Sequence, residues 1–360
     1  MTGLETLLTL GASPVDPAVT SLFVEMPGGL HDRLVWFYHS VVTPLVRITL
    51  DGLSKASLYI MIALGLSLIF GLMGVLNFAH GSFSMIGAYL GGVVMVVLVS
   101  GGTGAGTRLA LFFLAMAFVF ALMTAFGGAV ERTLIRPIYD RPPLFQILLT
   151  FGIVLVLDET ARIIVELRGM EPSTEWREAM RTAPGFLTES YSIAGVTTRG
   201  IYQFEVLMGI IVVAATWLFL NRTRYGLYIR AGSEDGEMAQ ALGIDIRQAF
   251  TVVFGVGSGL AAAAGVMLMW DPRFGASVPL TVDALLIAFV VVIIGGLGTF
   301  KGTVVAGVLV GFIDAITTWL FQTGYVEFVG LPEMMMFLVL VLVLIVRPQG
   351  LYGVEEVGGH

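Results

Sequence analysis

Apolar residues in this chain fall into long runs separated by short polar punctuation. Nine runs stand out: 53–70, 81–99, 108–130, 145–165, 203–220, 249–270, 284–298, 303–321 and 331–346. A helix rises 1.5 Å per residue, so about 20 apolar residues cross a hydrocarbon core of about 30 Å. Lipid offers no partner to an unpaired backbone group, and no ten-residue alternation suggests a barrel, so the runs are read as helices. The expectation is an all-α polytopic membrane protein with about nine transmembrane helices. Residues 34–50 carry His39, Pro44 and Arg47 and are read as an interfacial helix.

The polar punctuation sets an orientation. The loop 131–143 holds Arg132, Arg136 and Arg141, and 221–248 holds Arg222, Arg224, Arg230 and Arg247. Alternation puts both on one side with the C-terminus after Arg347, and the excess of arginine makes that side cytoplasmic. Loops 100–107 and 323–330 have no Lys or Arg, and 271–283 has only Arg273. The loop 166–202 dissents: it falls on the outer side with Arg168, Arg177, Arg181 and Arg199. Residues 1–32 contain no Lys or Arg, so the charged start of a secretory signal is missing. Four sections follow: an N-terminal extension at 1–51, a transmembrane domain at 52–353, an extracytoplasmic loop at 166–202 and a cytoplasmic loop at 221–248.

Composition changes this picture mainly by exclusion. Only 12% of the 360 residues are charged, against roughly 25% in soluble domains, and the mean hydropathy is +0.91. A formal charge of −7 provides no basic footprint for nucleic acid. With no cysteine there is no disulfide, thiolate metal site or cysteine nucleophile. His31, His39, His80 and His360 are scattered with no ligand spacing, so neither a metal nor another cofactor is expected. The two lysines follow Ser54 and Phe300, which excludes the Gly-Lys pair of a Walker A loop. Any ATPase driving this chain is another chain, and the protein itself is not an enzyme.

Three features carry information. The first is a break at 71–81, Gly71-Leu-Met-Gly-Val-Leu-Asn-Phe-Ala-His-Gly81, where an amide and an imidazole interrupt apolar sequence. Non-helical backbone at membrane depth survives only when buried in protein or lining a cavity, which makes Asn77, Phe78, His80 and Gly81 a candidate substrate pathway. A tight hairpin at the membrane surface, capped by Asn77, stands equally open. The second is the loop containing Glu237, Ala239 and Gly243. Ser233 can cap a short helix there, Gly243 can stop it, and Ile244 and Asp245 follow. Such a helix suits a groove in a partner, or serves as a solvated connector. The third is a set of GxxxG pairs for close packing, 87/91, 255/259, 298/302 and 307/311. The stretch 294–302, with Gly295, Gly296 and Gly298, resembles the earlier break around Gly74 in form, as an internal duplication would. Among ionisable residues in the runs, Asp158 can pair with Arg162 four residues on, and Asp314 stands alone in its run. Both are read as structural.

The run Gly65-Leu-Ser-Leu-Ile-Phe-Gly-Leu-Met-Gly-Val-Leu-Asn-Phe-Ala-His-Gly81, followed by Met85-Ile-Gly-Ala-Tyr89, closely resembles permeases of branched-chain amino-acid ABC importers, the Liv H-type subunit in particular. The resemblance continues through Glu131-Arg132, Arg136-Pro137, Ala241-Leu-Gly-Ile-Asp245, Ile294-Gly-Gly-Leu-Gly298 and Arg347-Pro-Gln-Gly-Leu-Tyr-Gly353. It implies an ABC importer permease fold in the cell membrane, paired with a second related permease, two ATP-binding subunits and an extracytoplasmic solute-binding protein. It also implies that Glu237, Ala239 and Gly243 form the segment contacting the ATPase, and that the break lines the translocation route. Residues 1–51 exceed the usual start of such chains, and Ser82 stands where many carry Glu. Branched-chain or related hydrophobic amino acids are the implied substrates. Alternatives are a urea or amide permease on the same scaffold and, from another class, an ion-coupled carrier or channel.

Overall fold

The computed structural model describes residues 29–353; the first 28 residues of the N-terminal extension, and His360, lie outside this range. Helix α1, Arg33–Met73, runs for 41 residues, about 60 Å at 1.5 Å per residue. Residues 34–50, expected as a separate segment, are the first half of this same rod. Pro44 lies two residues after a π turn at Tyr38–Val42. A proline offers no N–H and crowds the preceding turn, and the wider π turn accommodates both.

The other helices follow in order. They are α2 His80–Leu98, α3 Ala105–Val130, α4 Pro143–Leu167, the short α5 Arg177–Met180 and α6 Gly185–Thr188. Then come α7 Gly200–Arg222, α8 Arg224–Glu234, α9 Gly236–Ala241, α10 Ile246–Leu268, α11 Leu280–Gly295, α12 Phe300–Gln322 and α13 Leu331–Val346. Between α6 and α7 a hairpin pairs β1 Ser190–Ile193 antiparallel with β2 Val196–Arg199. Its turn residues Ala194 and Gly195 both have positive φ, the geometry that matches strand twist in two-residue hairpins. Among the described residues, six helices are long and apolar enough to cross a membrane, while α11 and α13 are apolar but only 16 residues long.

The core forms around α1 and α10. From Ser54 to Ile69 α1 is buried on every side, which explains why it is apolar all round rather than on one stripe. Helix α10 strings together Gly255, Gly257, Gly259, Gly265 and the run Ala261–Ala264, and small residues let neighbouring backbones come close. A Cβ on Gly257 would lie 2.6 Å from Ile69 of α1, and one on Gly255 2.6 Å from the Thr124 carbonyl of α3. By contrast α4 leaves Leu144, Leu148, Leu155, Val156, Ile163 and Leu167 exposed, an apolar surface suited to lipid.

The bundle has two distinct ends. At one lie the arginine-rich loops 131–142 and 223–245 and the segment after Arg347. Arg136 donates to the Arg247 carbonyl, and the N–H groups of Leu351 and Tyr352 donate to Ile294 and Gly295 at the end of α11. At the other lie the hairpin and the connection 269–279. There the Trp176 N–H donates to the Ala276 carbonyl and the Val278 N–H to that of Pro172, each at 2.9 Å.

Candidate functional site: two helices that start inside the bundle

Helix α1 ends on Gly74, whose φ of +64° provides the left-handed cap that stops it. The next helical residue is His80. Its Nε2–H donates to the carbonyl of Ile62, 2.8 Å away. Ile62 lies eleven residues before Met73, about 16 Å back along α1. The chain at 74–79 therefore doubles back beside α1 without regular structure, turning at Phe78 and Ala79, and α2 starts within the bundle rather than at its end. Asn77 shapes this turn, accepting the Ala79 N–H at Oδ1 (3.1 Å) while its own carbonyl accepts the His80 N–H. Phe78 packs on Phe289 of α11 with ring centroids 5.1 Å apart. Asn77 and His80 are fully buried, and Nδ2 of the one and Nδ1 of the other have no partner among the described residues.

Helix α11 starts inside the bundle as well. Its first turn touches that of α2: a Cβ on Gly81 would clash with the Thr281 carbonyl and lie 2.9 Å from Leu285 Cβ. One carboxylate joins both starts. Oδ1 of Asp158 on α4 accepts the Ser82 hydroxyl at 2.7 Å and the Thr281 hydroxyl at 3.0 Å. Arg162, expected to pair with Asp158, instead pairs with Glu159 at 3.3 Å. The two N-terminal helix dipoles favour negative charge at this junction, and Asp158 supplies it.

The glycines of 294–302 do a different job. Gly296 and Gly298 take positive φ and form a tight turn between α11 and α12. That turn presses on the end of α1, where a Cβ on Gly71 would lie 3.0 Å from Gly298 Cα. Gly295 packs on Gly302, and Gly296 on Gly350 and Gly353. Gly74 packs against nothing, and its role is conformational. In chain order the counterpart of the first break is therefore 269–279, which leads from α10 into α11 as 74–79 leads from α1 into α2.

At the arginine-rich end, α9 is capped by Asp235, which accepts the Met238 N–H at 2.9 Å, rather than by Ser233. Ser233 lies within α8 and donates its hydroxyl to the Arg230 carbonyl. Glu237 falls in α9, where Ala239 is buried while Met238 and, just past the helix end, Leu242 stand exposed. Gly243, at φ +86°, stops the helix, the Ile244 N–H returns to the Ala239 carbonyl, and Asp245 caps α10. Nearby, buried Glu131 accepts from Arg136, from the Tyr139 hydroxyl at 2.5 Å and from Thr251 of α10 at 2.7 Å. Burial, and then the bond to Glu131, push the Tyr139 phenol well above its ordinary pKa.

Two further charged groups sit toward the hairpin end. Lys55 of α1 donates to Asp314 of α12 at 2.7 Å and to Thr318 at 2.7 Å, and the Tyr59 hydroxyl also donates to Asp314. Asp314, which reads as solitary within its own run, is thus the centre of a buried cluster. Arg273 binds Glu205, Asp271 and Ser54 and stacks 4.5 Å over the Tyr202 ring. Burial opposes the guanidinium charge, but Glu205 and Asp271 outweigh it and hold the Arg273 pKa above its usual value. Thr281 and Lys55 stand outside every motif of the sequence, and Ser82 enters there only as a departure from the family pattern. Only Lys55, as a charge at the edge of an apolar run, carried a local signal.

The family model described as branched-chain amino acid transport system / permease component matches residues 48–346. The chain is 27% identical over 314 residues to the high-affinity branched-chain amino acid transport system permease protein LivH of Escherichia coli K12, covering 85% of this chain and 95% of that one. It is 29% identical over 310 residues to the high-affinity branched-chain amino acid transport system permease protein BraD of Pseudomonas aeruginosa, with the same two coverages. A probable branched-chain amino acid transport permease protein LivH of Methanocaldococcus jannaschii is 26% identical over 321 residues, 86% of this chain and 93% of that one. No solved structure matches.

Proposed function

The chain belongs to the family of branched-chain amino acid transport permease components, and from that premise we propose that it is the membrane subunit of an ABC importer for branched-chain or related hydrophobic amino acids. The family's members are transporter membrane subunits rather than enzymes, and the apolar helices make this a multi-pass membrane protein. The reading beyond that rests on one observation above all. Helices α2 and α11 both start inside the bundle and meet there, with buried, unpartnered polar atoms on Asn77 and His80 beside the junction. Interrupted helices whose N-termini meet within the bilayer are how transporters present polar groups to a substrate at membrane depth.

On this reading Asn77, Phe78, His80 and Gly81 line the route, and alternating access moves α2 and α11 against α1 and α10. ATP hydrolysis occurs in two partner subunits and reaches the bundle through α9 and the Gly243-Ile244-Asp245 turn. A second related permease completes the channel, and an extracytoplasmic solute-binding protein delivers substrate. The arginine-rich end and the C-terminus face the cytoplasm, and the membrane is the cell membrane. Exposed Met238 and Leu242 give α9 an apolar surface for a partner groove.

Reconstitution in proteoliposomes tests this. With all partners present, ATP in the ATPase compartment drives leucine accumulation, and replacing Asn77 by Leu lowers it at least tenfold. Leucine uptake that continues without the ATP-binding subunits returns the carrier reading, and uptake of urea in place of leucine returns the amide-permease reading.

A further inference from the structure

Helix α3 does not end cleanly. Its last turn widens into a π turn at Glu131–Ile135 and then tightens into a 3-10 turn at Arg136–Ile138. This course brings the Arg136 guanidinium back onto the Glu131 carboxylate, with Nε–H donating to Oε1 at 3.2 Å and Nη2–H to Oε2 at 2.9 Å. Glu131 is fully buried, and a buried carboxylate is costly unless it is paired and hydrogen-bonded. The Tyr139 hydroxyl donates to Oε1 at 2.5 Å and the Thr251 hydroxyl to Oε2 at 2.7 Å, so both oxygens have two partners. The same guanidinium reaches a third element, where Nη2–H donates to the Arg247 carbonyl at 3.2 Å and to the Thr251 hydroxyl oxygen. Tyr139 also packs edge-on against Phe250 of α10, with ring centroids 5.3 Å apart. The end of α3, the loop 136–142 and the first two turns of α10 thus meet at one ion pair.

On one side of this pair lies α9. Only residues 242–245 separate it from α10. The Ile244 N–H returns to the Ala239 carbonyl, and Asp245 caps α10 by accepting the Gln248 N–H at 3.0 Å, so the two helices are held to each other. On the other side lies α4. The loop leading to it is braced by bonds from the Tyr139 N–H to the Arg136 carbonyl and from the Arg141 N–H to the Ile138 carbonyl. It enters the helix through Pro142 and Pro143, whose rings fix φ. Helix α4 itself is held lightly, its buried residues being Thr150, Ile153, Val154 and Val165. About 22 Å along it from Pro143, Asp158 takes the hydroxyls of Ser82 and Thr281 at the starts of α2 and α11. A stiff loop feeding a lightly held helix passes a displacement on instead of absorbing it.

We propose that Glu131, Arg136 and Thr251 are positioning residues of the transport cycle. They clamp the start of α10 to the loop before α4, so that a displacement of α9 moves α4 and, through Asp158, the junction of α2 with α11. The clamp rests on the permease reading above and adds to it the residues that carry motion from α9 to the interrupted helices. Arginine suits the position because its planar fork holds a carboxylate and a neighbouring carbonyl at once, whereas a lysine ammonium is a point charge without that geometry.

The test measures ATP hydrolysis and leucine uptake together, in proteoliposomes holding the full chain with all its partner subunits. Arg136→Lys keeps a cation beside Glu131 but loses the fork, and Thr251→Val keeps the side-chain volume but loses the hydroxyl. In each, ATP hydrolysis per assembled complex stays within twofold of the parent, and the ATP consumed per leucine imported rises at least fivefold. The double variant is no worse than the more severe single one, because both changes open the same clamp. A parental ratio of ATP to leucine in either folded variant overturns the proposal. So does a fall of hydrolysis and uptake in the same proportion, which is what a purely structural contact produces, and so do single effects that multiply in the double variant. Should Arg136→Lys fail to assemble, the ratio in Thr251→Val decides alone. Parental ratios in variants of a complex that imports leucine remove the clamp and leave the permease reading standing. A parent complex without ATP-driven leucine uptake removes the permease reading, and the clamp with it.

Discussion

His80 donates its Nε2–H to the carbonyl of Ile62, and this bond between the first residue of α2 and the middle of α1 defines where the second helix begins. Residue 80 thereby lies beside a turn eleven residues upstream of the end of α1, and the six intervening residues run back without helical structure. A buried hydrogen bond of this kind contributes about 0.5–1.5 kcal/mol net. His80→Leu is expected to lose that amount in thermal unfolding in detergent and to depress uptake further, because it also removes the unpartnered Nδ1. His80→Gln, which keeps a donor, retains more stability than His80→Leu. Equal losses in the two variants would show that the bond does not hold α2 in place.

Gly81 tests the junction of α2 with α11. Added methyl carbon there meets the backbone of Thr281, which cannot rotate away as a side chain tip can. Overpacking of this sort costs about 1–3 kcal/mol, so Gly81→Ala lowers the melting temperature clearly. Gly101→Ala, at a glycine with open space around it, leaves it unchanged. A Gly81→Ala protein as stable as its parent would mean the two helix starts do not touch.

The apolar runs and the first break were legible because their causes are local. Each run is apolar over enough residues to cross lipid, and Gly74 with Asn77 inside such a run announces a change of backbone. The early start of α11 was not legible. Asp271, Pro272 and Arg273 read as a polar surface loop, and their inward course depends on bonds to residues about a hundred positions away, such as Trp176 to Ala276. For the same reason the Gly-rich turn at 294–302 was matched to the first break by composition, although its fold is a compact turn that braces Gly71. Asp158 looked paired with Arg162 because helix spacing permits it; tertiary hydroxyls from Ser82 and Thr281 took its Oδ1 instead. At α9 both Ser233 and Asp235 had the chemistry of a cap, and the choice turned on Ser233 binding back to Arg230 within α8.

Asp158 is accordingly expected to respond to shape more than to charge. Asp158→Asn keeps an oxygen for the Ser82 and Thr281 hydroxyls, whereas Asp158→Leu abandons both. Hydrogen bonds to a charged acceptor contribute about 1.5–3 kcal/mol. The leucine variant should therefore unfold at a markedly lower temperature than the asparagine variant, and Ser82→Ala should fall between the parent and Asp158→Leu. A reversed order of Asn and Leu would remove the bridging role.

The Lys55–Asp314 pair predicts non-additivity. Both side chains are about nine-tenths buried, and removing one partner of such a pair strands the other, at a cost of about 3–5 kcal/mol. Lys55→Met alone is thus strongly destabilising, while Lys55→Met combined with Asp314→Leu regains most of the loss because no charge is left stranded. Denaturation of the single and double variants in detergent measures this. Simple addition of the two single effects would show that the cluster is solvated rather than buried.

Gly243 separates a coupling role from a packing role. Its φ of +86° is disfavoured for any residue with a Cβ and worst for a β-branched one, yet a Cβ there would meet no neighbouring atom. Gly243→Val therefore acts on the path of the α9–α10 turn and not on the core. The amount of protein inserted in the membrane and its melting temperature should stay close to those of the parent, while ATP-driven leucine uptake falls at least tenfold. Gly243→Asn, which tolerates the left-handed region better, should keep an intermediate rate. The ordering Gly, Asn, Val in uptake at constant membrane level is what a misdirected coupling helix produces. Normal uptake in Gly243→Val would mean that the geometry of this turn is not what connects ATP hydrolysis to the bundle.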